Sequence, residues 1–264
     1  MLELCHITKK FNAGTVNEKV ALNDVSLTLN DGDFVTVIGG NGAGKSTLMN
    51  AIAGVWPLDD GEVIVDGIDI TAMAEHKRAK FLGRVFQDPN MGTAADMQID
   101  ENLGLANRRG KRRGLAWSIS AKEREQYKSM LAQLDLGLED RLTSKVGLLS
   151  GGQRQAITLL MASMNKPNLL LLDEHTAALD PKTAAKVLKL TDEIVTQNQL
   201  TTLMITHNMK DAITHGNRLI MMHHGRIIFD IAGEEKKKLT VEDLLKKFEE
   251  CSGAEFASDR ALLS

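Results

Sequence analysis

Residues 39–47 read Gly-Gly-Asn-Gly-Ala-Gly-Lys-Ser-Thr and follow directly on the apolar run Val35-Thr36-Val37-Ile38. Glycines packed this closely let successive backbone N–H groups curl around one anion, because no Cβ stands in the way. Such a loop needs a strand to deliver the chain and a helix to carry it away, since the helix N-terminus adds free amides and the positive end of a dipole. Both flanks are present. Residues 35–38 read as a buried strand after the turn Asn30-Asp31-Gly32-Asp33, and Ser46 to Ile52 reads as a helix that closes near Gly54 and Pro57. The spacing Gly39-x-x-x-x-Gly44-Lys45-Ser46 is therefore a phosphate-binding loop in its proper context, against the alternative of a simple glycine-rich turn. Gly39, Asn41, Gly42, Ala43 and Gly44 form the cradle. Lys45 is expected to reach the β- and γ-phosphates of a nucleotide, Ser46 to ligate Mg²⁺, and Thr47 to contact the α-phosphate side.

The rest of the chain fits an α/β reading. Glu62–Val65 and Gly83–Gln87 are short strand candidates, and residues of about 90–160 show helical periodicity with almost no strand signal. The clearest helix there is Ala121–Leu134, with Ser120 as N-cap and Glu123 in the capping-box position. Alternation then resumes with the continuous apolar run Leu169–Leu172, as expected for a central parallel strand covered on both faces. Thr201–Ile205 and Arg218–Met222 follow, and Gly225–Ile231 could pair with the latter as a hairpin. Thr240 opens a last helix, with Leu244, Leu245 and Phe248 at helical spacing to pack back on the core. There is no internal repeat.

Leu169–Leu172 ends in Asp173-Glu174, two carboxylates at the C-terminal end of a buried strand, where such sheets place their ligands. Asp173 suits the organisation of Mg²⁺, directly or through water, and Glu174 suits a general base acting on the attacking water. An ordinary charged turn is the plain alternative, and the phosphate loop upstream argues against it.

Leu149-Ser150-Gly151-Gly152-Gln153, in its own right, is a helix N-cap made of small residues. Together with the loop and the acidic strand end it resembles the signature of the ABC ATPases, and the likeness runs from about Leu2 to Ile231. That resemblance implies a P-loop NTPase core with an antiparallel β subdomain and an inserted α-helical subdomain at about 90–160, followed by a short C-terminal helical extension over 232–264. It implies that Ser150, Gly151, Gly152 and Gln153 address the γ-phosphate of ATP bound by a second copy of the chain. It further implies that Gln87 senses Mg²⁺ and γ-phosphate and abuts a membrane subunit, with Met91–Asn102 lining the groove that receives it. Asp180 would contact the partner's phosphate loop, His207 the γ-phosphate, and Phe11 the adenine ring, with a packed strand-end phenylalanine as the plain alternative for Phe11. The implied activity is ATP hydrolysis driving separate integral membrane permease subunits at the cytoplasmic face of the cell membrane. Import with a substrate-binding protein fits best, and the segment 173–181 is similar to importer ATPases of aromatic amino acid uptake. One departure stands out: the family usually places proline after the glutamate, and here it is His175, expected to be a surface residue, with tuning of the local field as the alternative. A non-transport relative, such as an iron–sulfur cluster assembly ATPase, is the alternative; its signature helix is usually richer in lysine and glutamate. A nucleotide-gated module with negligible turnover is disfavoured by Glu174 and His207.

With 43% hydrophobic residues in 264, the chain can bury a full core, and its net charge of −3 gives no reason to expect nucleic acid. Two cysteines, Cys5 and Cys251, lack metal-ligand spacing and suit a reducing compartment. No signal peptide or membrane-spanning run is expected. Residues 108–113 carry five cations in six positions. A solvated loop is the plain reading, and contact with anionic lipid or an acidic permease loop the alternative. His6, His76, His215, His223 and His224 lack motif context and are expected to be structural or exposed.

Overall fold

The computed structural model describes residues 1–111 and 119–252; Arg112, Arg113 and the side chain of Cys251 lie outside the described residues. The chain opens with two long strands that the sequence reading did not pick out, β1 (Leu2–Phe11) and β2 (Lys19–Leu29). They pair antiparallel, and buried residues recur on one face of both, with the alternation interrupted at β-bulges, the pattern of a sheet with one face on the core. β3 (Phe34–Ile38) is buried at every residue and feeds the glycine loop, from which α1 (Lys45–Ala53) departs. β4 (Asp60–Val65) and β5 (Ile68–Asp69) join the first sheet in the order β2-β1-β4-β5. A single turn, α2 (Glu75–Arg78), precedes β6 (Leu82–Val85).

Helices follow: α3 (Ile99–Asn107), α4 (Ala121–Ala132), a 3-10 turn at Val146–Leu148 and α5 (Gly151–Ser163). Ser120 caps α4 as its sequence predicts, its Oγ accepting from Glu123 N at 3.2 Å while the Glu123 carboxylate accepts from Ser120 N at 2.7 Å. The alternating part resumes with β7 (Leu169–Asp173), α6 (Pro181–Asn198), β8 (Thr202–Ile205), α7 (Met209–Thr214), β9 (Arg218–His223) and β10 (Arg226–Ala232), and ends in α8 (Gly233–Lys237) and α9 (Val241–Ser252).

The second sheet has the order β10-β9-β3-β8-β7-β6. Its pairs from β9 to β6 are parallel, and β10 closes one edge antiparallel, so the hairpin expected at 218–231 is present. β3 lies between β8 and β9, and its glycine loop leaves at the C-terminal strand ends. One apolar core fills the space between the two sheets and α1; another joins α3, α4 and α5 to the opposite face of the parallel sheet and to α6. A third holds α9, where Leu244 and Phe248 are fully buried against Ile38, Met209 and Met221 and Leu245 packs at its margin. The mixed α/β class and the antiparallel sheet agree with the fold expected from the sequence. Among the described residues no helix is long and apolar enough to cross a membrane.

Two expectations change. His175 is not at the surface: it is 2% exposed. The basic run is not simply solvated, because Arg109 donates to the Ala162 carbonyl at 3.0 Å near the end of α5 and Arg108 pairs with Glu123 at 3.0 Å. Burial holds the Arg109 guanidinium pKa below its ordinary value. Finally, Asn102, at the end of the segment expected to line the permease groove, is buried, and its side chain bonds the backbone of Ala94, Met97 and Gln98. Met91, by contrast, is exposed.

Candidate functional site

The glycine loop leaves β3 at the edge of a recess of about 250 Å³. Its wall is Phe11, Lys19, Ala21, Asn41 to Thr47 and Glu174. Gly44 shows why the loop tolerates no side chain there. Its φ is +103°, and a Cβ would stand 2.5 Å from the carbonyl oxygen of Ala21. The next residue opens α1, so the first amides of that helix face the recess. Lys45 is buried and its Nζ donates to the carbonyls of Gly39 at 2.7 Å and Gly40 at 3.1 Å. Ser46 is exposed and Thr47 half-buried. Phe11, at the end of β1, meets Trp56 edge to face with ring centroids 4.9 Å apart, so one aromatic wall of the recess is held rigid from behind.

The acidic strand end lies across from the loop. Glu174 is the first residue after β7 and has φ +42°, the left-handed region that a non-glycine residue enters only under strain. Its amide donates to Ile205 O at 3.1 Å, which ties it to β8. Two predicted partners converge on one oxygen, Glu174 Oε2: Gln87 Nε2 at 3.3 Å and His207 Nδ1 at 3.7 Å. Arg84 Nη2 lies 3.5 Å from Asp173 Oδ2 and donates to Asn50 Oδ1 at 2.7 Å. Burial raises the Asp173 carboxyl above the ordinary carboxylate range, Arg84 opposes that shift, and neighbouring Glu174 adds to it.

The signature residues lie elsewhere. Ser150 caps α5, its Oγ accepting from Gln153 N at 3.3 Å while Gln153 Oε1 accepts from Ser150 N at 3.2 Å. Ser150 and Gly151 are exposed, and Gly152 is buried against α6, where a Cβ would stand 2.1 Å from Thr183 Cγ2. Gln153 Nε2 also donates to Leu136 O at 3.4 Å. None of residues 149–153 belongs to the wall of the recess formed by the described residues. Asp180 caps α6, accepting from Thr183 N at 3.1 Å; the hydrogen bonds from Thr183 hold its carboxyl below the usual range. It too lies outside that wall.

Sequence reasoning missed Lys19 and Trp56, which carry no motif signal, and Arg84. A lone arginine in the otherwise apolar segment Leu82–Val85 was the available clue. It also missed the buried polar pair His175 and Thr191, whose side chains meet at 3.0 Å.

The ABC transporter family model matches residues 22–177. The chain is 45% identical over 249 residues to a tyrosine transport ATP-binding protein of Clostridioides difficile, covering 94% of this chain and 99% of the relative. It is 34% identical over 252 residues to a methionine import ATP-binding protein of Enterococcus faecalis, covering 94% and 67%. A spermidine/putrescine import ATP-binding protein of Haemophilus ducreyi is 34% identical over 230 residues, of whose length the match spans 57%. Among solved structures, the ADP conformation of the ATP-binding cassette MJ1267 superposes with a TM-score of 0.78 at 30% identity, covering 96% of this chain and 98% of that one. The dimeric, post-hydrolysis cassette MJ0796 bound to ADP and Pi gives 0.74 at 29%, covering 88% and 98%. The chain belongs to the ABC transporter family, as an ATPase that couples ATP hydrolysis to transport.

Proposed function

We propose that the chain is the ATP-hydrolysing subunit of an importer, held at the cytoplasmic face of the membrane by separate permease subunits, and that two copies close around two molecules of ATP. One observation carries the closing of two copies: Ser150 and Gly151 are exposed at a helix N-terminus, an anion site by construction, yet the phosphate recess of the same chain does not include them. A second copy with its α5 facing the recess would complete both sites at once. Residues 1–231 then act as one ATPase domain with the helical segment of about 90–160 inserted, and 232–252 pack back on it.

In the closed pair, the amides of residues 42–47 and Lys45 hold the phosphates of ATP, and Phe11 stacks on the base. Glu174 takes a proton from the attacking water, and His207 donates to the γ-phosphate. Ser46, Gln87 and Asp173 offer hydroxyl, carboxamide and carboxylate oxygens, a sparse hard-donor set that fits a Mg²⁺ keeping waters and phosphate oxygens in its shell. When bound, Mg²⁺ neutralises charge that develops on the phosphates. Asp180 holds the start of α6 at the face turned toward the second copy.

The 45% identity to a tyrosine transport ATP-binding protein supports an aromatic amino acid as cargo, recognised by the permease and a substrate-binding protein rather than by this chain. The relatives named above are all transport ATP-binding proteins, which favours transport over the iron–sulfur assembly alternative. The test of the pairing is Glu174→Gln with ATP and Mg²⁺ in light scattering. A mass of twice the chain is expected, and a monomer at saturating ATP would overturn the pairing. Tyrosine uptake by cells lacking and regaining the chain, with its permease present, tests the cargo.

A further inference from the structure

Two consecutive residues of α6 reach the two sides of the catalytic corner. Thr191 Oγ1 lies 3.0 Å from His175 Nε2, and both residues are buried. Thr191 also donates its single hydroxyl proton to Val187 O at 2.9 Å. The hydroxyl can therefore only accept from the imidazole, so His175 is the Nε2–H tautomer and acts as the donor. The next residue, Asp192, meets His215 Nδ1 through Oδ2 at 2.7 Å. His215 closes α7, the helix that Asn208 caps and that follows directly on His207.

The link to chemistry is covalent and short. His175 is bonded to Glu174, whose φ of +42° is a conformation the backbone does not hold unaided. The backbone bonds at this turn are Glu174 N to Ile205 O and Ala177 N to Glu174 O. The side chain of His175 adds a further tether, to α6. His207 Nδ1 lies 3.7 Å from Glu174 Oε2, so the spacing between these two groups depends on what holds each backbone.

We infer that α6 is the element that sets the geometry of the catalytic pair, with Thr191 acting through His175 on Glu174 and Asp192 acting through His215 on α7 and His207. These are positioning residues; none of them touches the substrate. The inference rests on the reading of Glu174 as the general base.

Paired substitutions at one position separate a hydrogen bond from packing. Thr191→Val keeps the shape and removes the acceptor, whereas Thr191→Ser keeps the acceptor and removes a methyl. In steady-state ATPase assays of the full chain, Thr191→Val should lower kcat on the order of ten- to a hundredfold with KM for ATP within about twofold, because a misplaced base slows chemistry without weakening binding. Thr191→Ser should keep kcat within about threefold of the parent. His175→Gln, which still presents an N–H donor, should exceed His175→Ala in kcat, and Asp192→Asn should lower kcat at an unchanged KM. A Thr191→Val protein with full kcat would overturn the inference, as would one that loses kcat and ATP affinity together. Glu174→Gln is run alongside. If it keeps turnover, the base assignment itself falls and takes the inference with it; if it is inactive while Thr191→Val is fully active, only the inference falls.

Discussion

Gln155 Nε2 donates to the backbone carbonyl of Phe86 at 3.1 Å, joining α5 to the chain just beyond β6. Gln155 is fully buried. Ser150 caps α5, and Phe86 directly precedes Gln87, so the Gln155 carboxamide joins the helix of the signature to the loop that carries Gln87. Replacing Gln155 with Leu keeps most of the volume and leaves the Phe86 carbonyl unpaired. The expected cost is about 0.5–1.5 kcal/mol, the net contribution of one hydrogen bond. Urea unfolding of parent and Gln155→Leu checks it, with a fall in midpoint at an unchanged slope as the expected signature.

Phe11 and Trp56 make an optical reporter of the nucleotide. The Phe11 ring lines the recess and lies edge to face with Trp56 at 4.9 Å. ATP stacked on Phe11 should alter the environment of Trp56, so tryptophan emission should change on titration with ATP. Phe11→Ala should weaken ATP binding by about 0.5–1.5 kcal/mol, or roughly two- to twelvefold in Kd, since stacking is lost and no hydrogen bond is. Phe11→Tyr, which retains the ring face, should bind nearly as the parent does. An affinity unchanged in Phe11→Ala would place the adenine elsewhere.

The motif-bearing half of the site was legible because its chemistry demands particular residue types at fixed spacing. Gly39 to Thr47 had to follow a strand and open a helix, and β3 and α1 flank it. The run Leu169–Leu172 had to be a covered parallel strand, and it lies fully buried between β6 and β8. The long strands β1 and β2 were not read, since their alternation is broken by β-bulges and exposed polar residues. His175 was misread for a different reason. A histidine in a turn beside two carboxylates looks solvated in sequence, and only tertiary structure places Thr191 over it, sixteen residues on. Arg109 was hidden in the same way: its partner is the Ala162 carbonyl, fifty-three residues away, and no local pattern encodes it.

Buried His175 gives the protein an acid-sensitive stability. Burial, with a smaller contribution from nearby His215, lowers its pKa from 6.5 to about 4. As pH falls, the unfolded chain takes up this proton first, so the unfolded state gains. The contribution is intact above about pH 7 and is lost progressively from about 6.5 down to 4. Between pH 7 and pH 5 the loss from this one group is about 2 kcal/mol. Thermal melts of the nucleotide-free chain should show a larger drop in Tm over that interval for the parent than for His175→Gln, which has no proton to gain. Equal drops in the two proteins would mean that His175 is not held neutral in the folded state.

Phe248 tests whether α9 is part of the ATPase fold or an appendage. The ring is fully buried among Ile38, Met209 and Met221 and stands edge to face with His223, centroids 5.6 Å apart. Ile38 immediately precedes Gly39 of the phosphate loop, and Met209 comes two residues after His207. Removing the ring leaves a cavity behind both segments. Phe248→Ala should therefore destabilise the protein by about 3–5 kcal/mol if the site does not collapse, a fall in Tm on the order of 6–20 °C for a chain of this size. Lys247 and Glu250, on the exposed side of the same helix, pair with each other at 2.9 Å. Their exchange for alanine should cost well under about 1 kcal/mol, because a solvated pair contributes little. A helix docked by its apolar face must show that contrast between its two sides. If Phe248→Ala melts with the parent, α9 is detached in solution, and the phosphate loop and the segment that carries His207 are held without it.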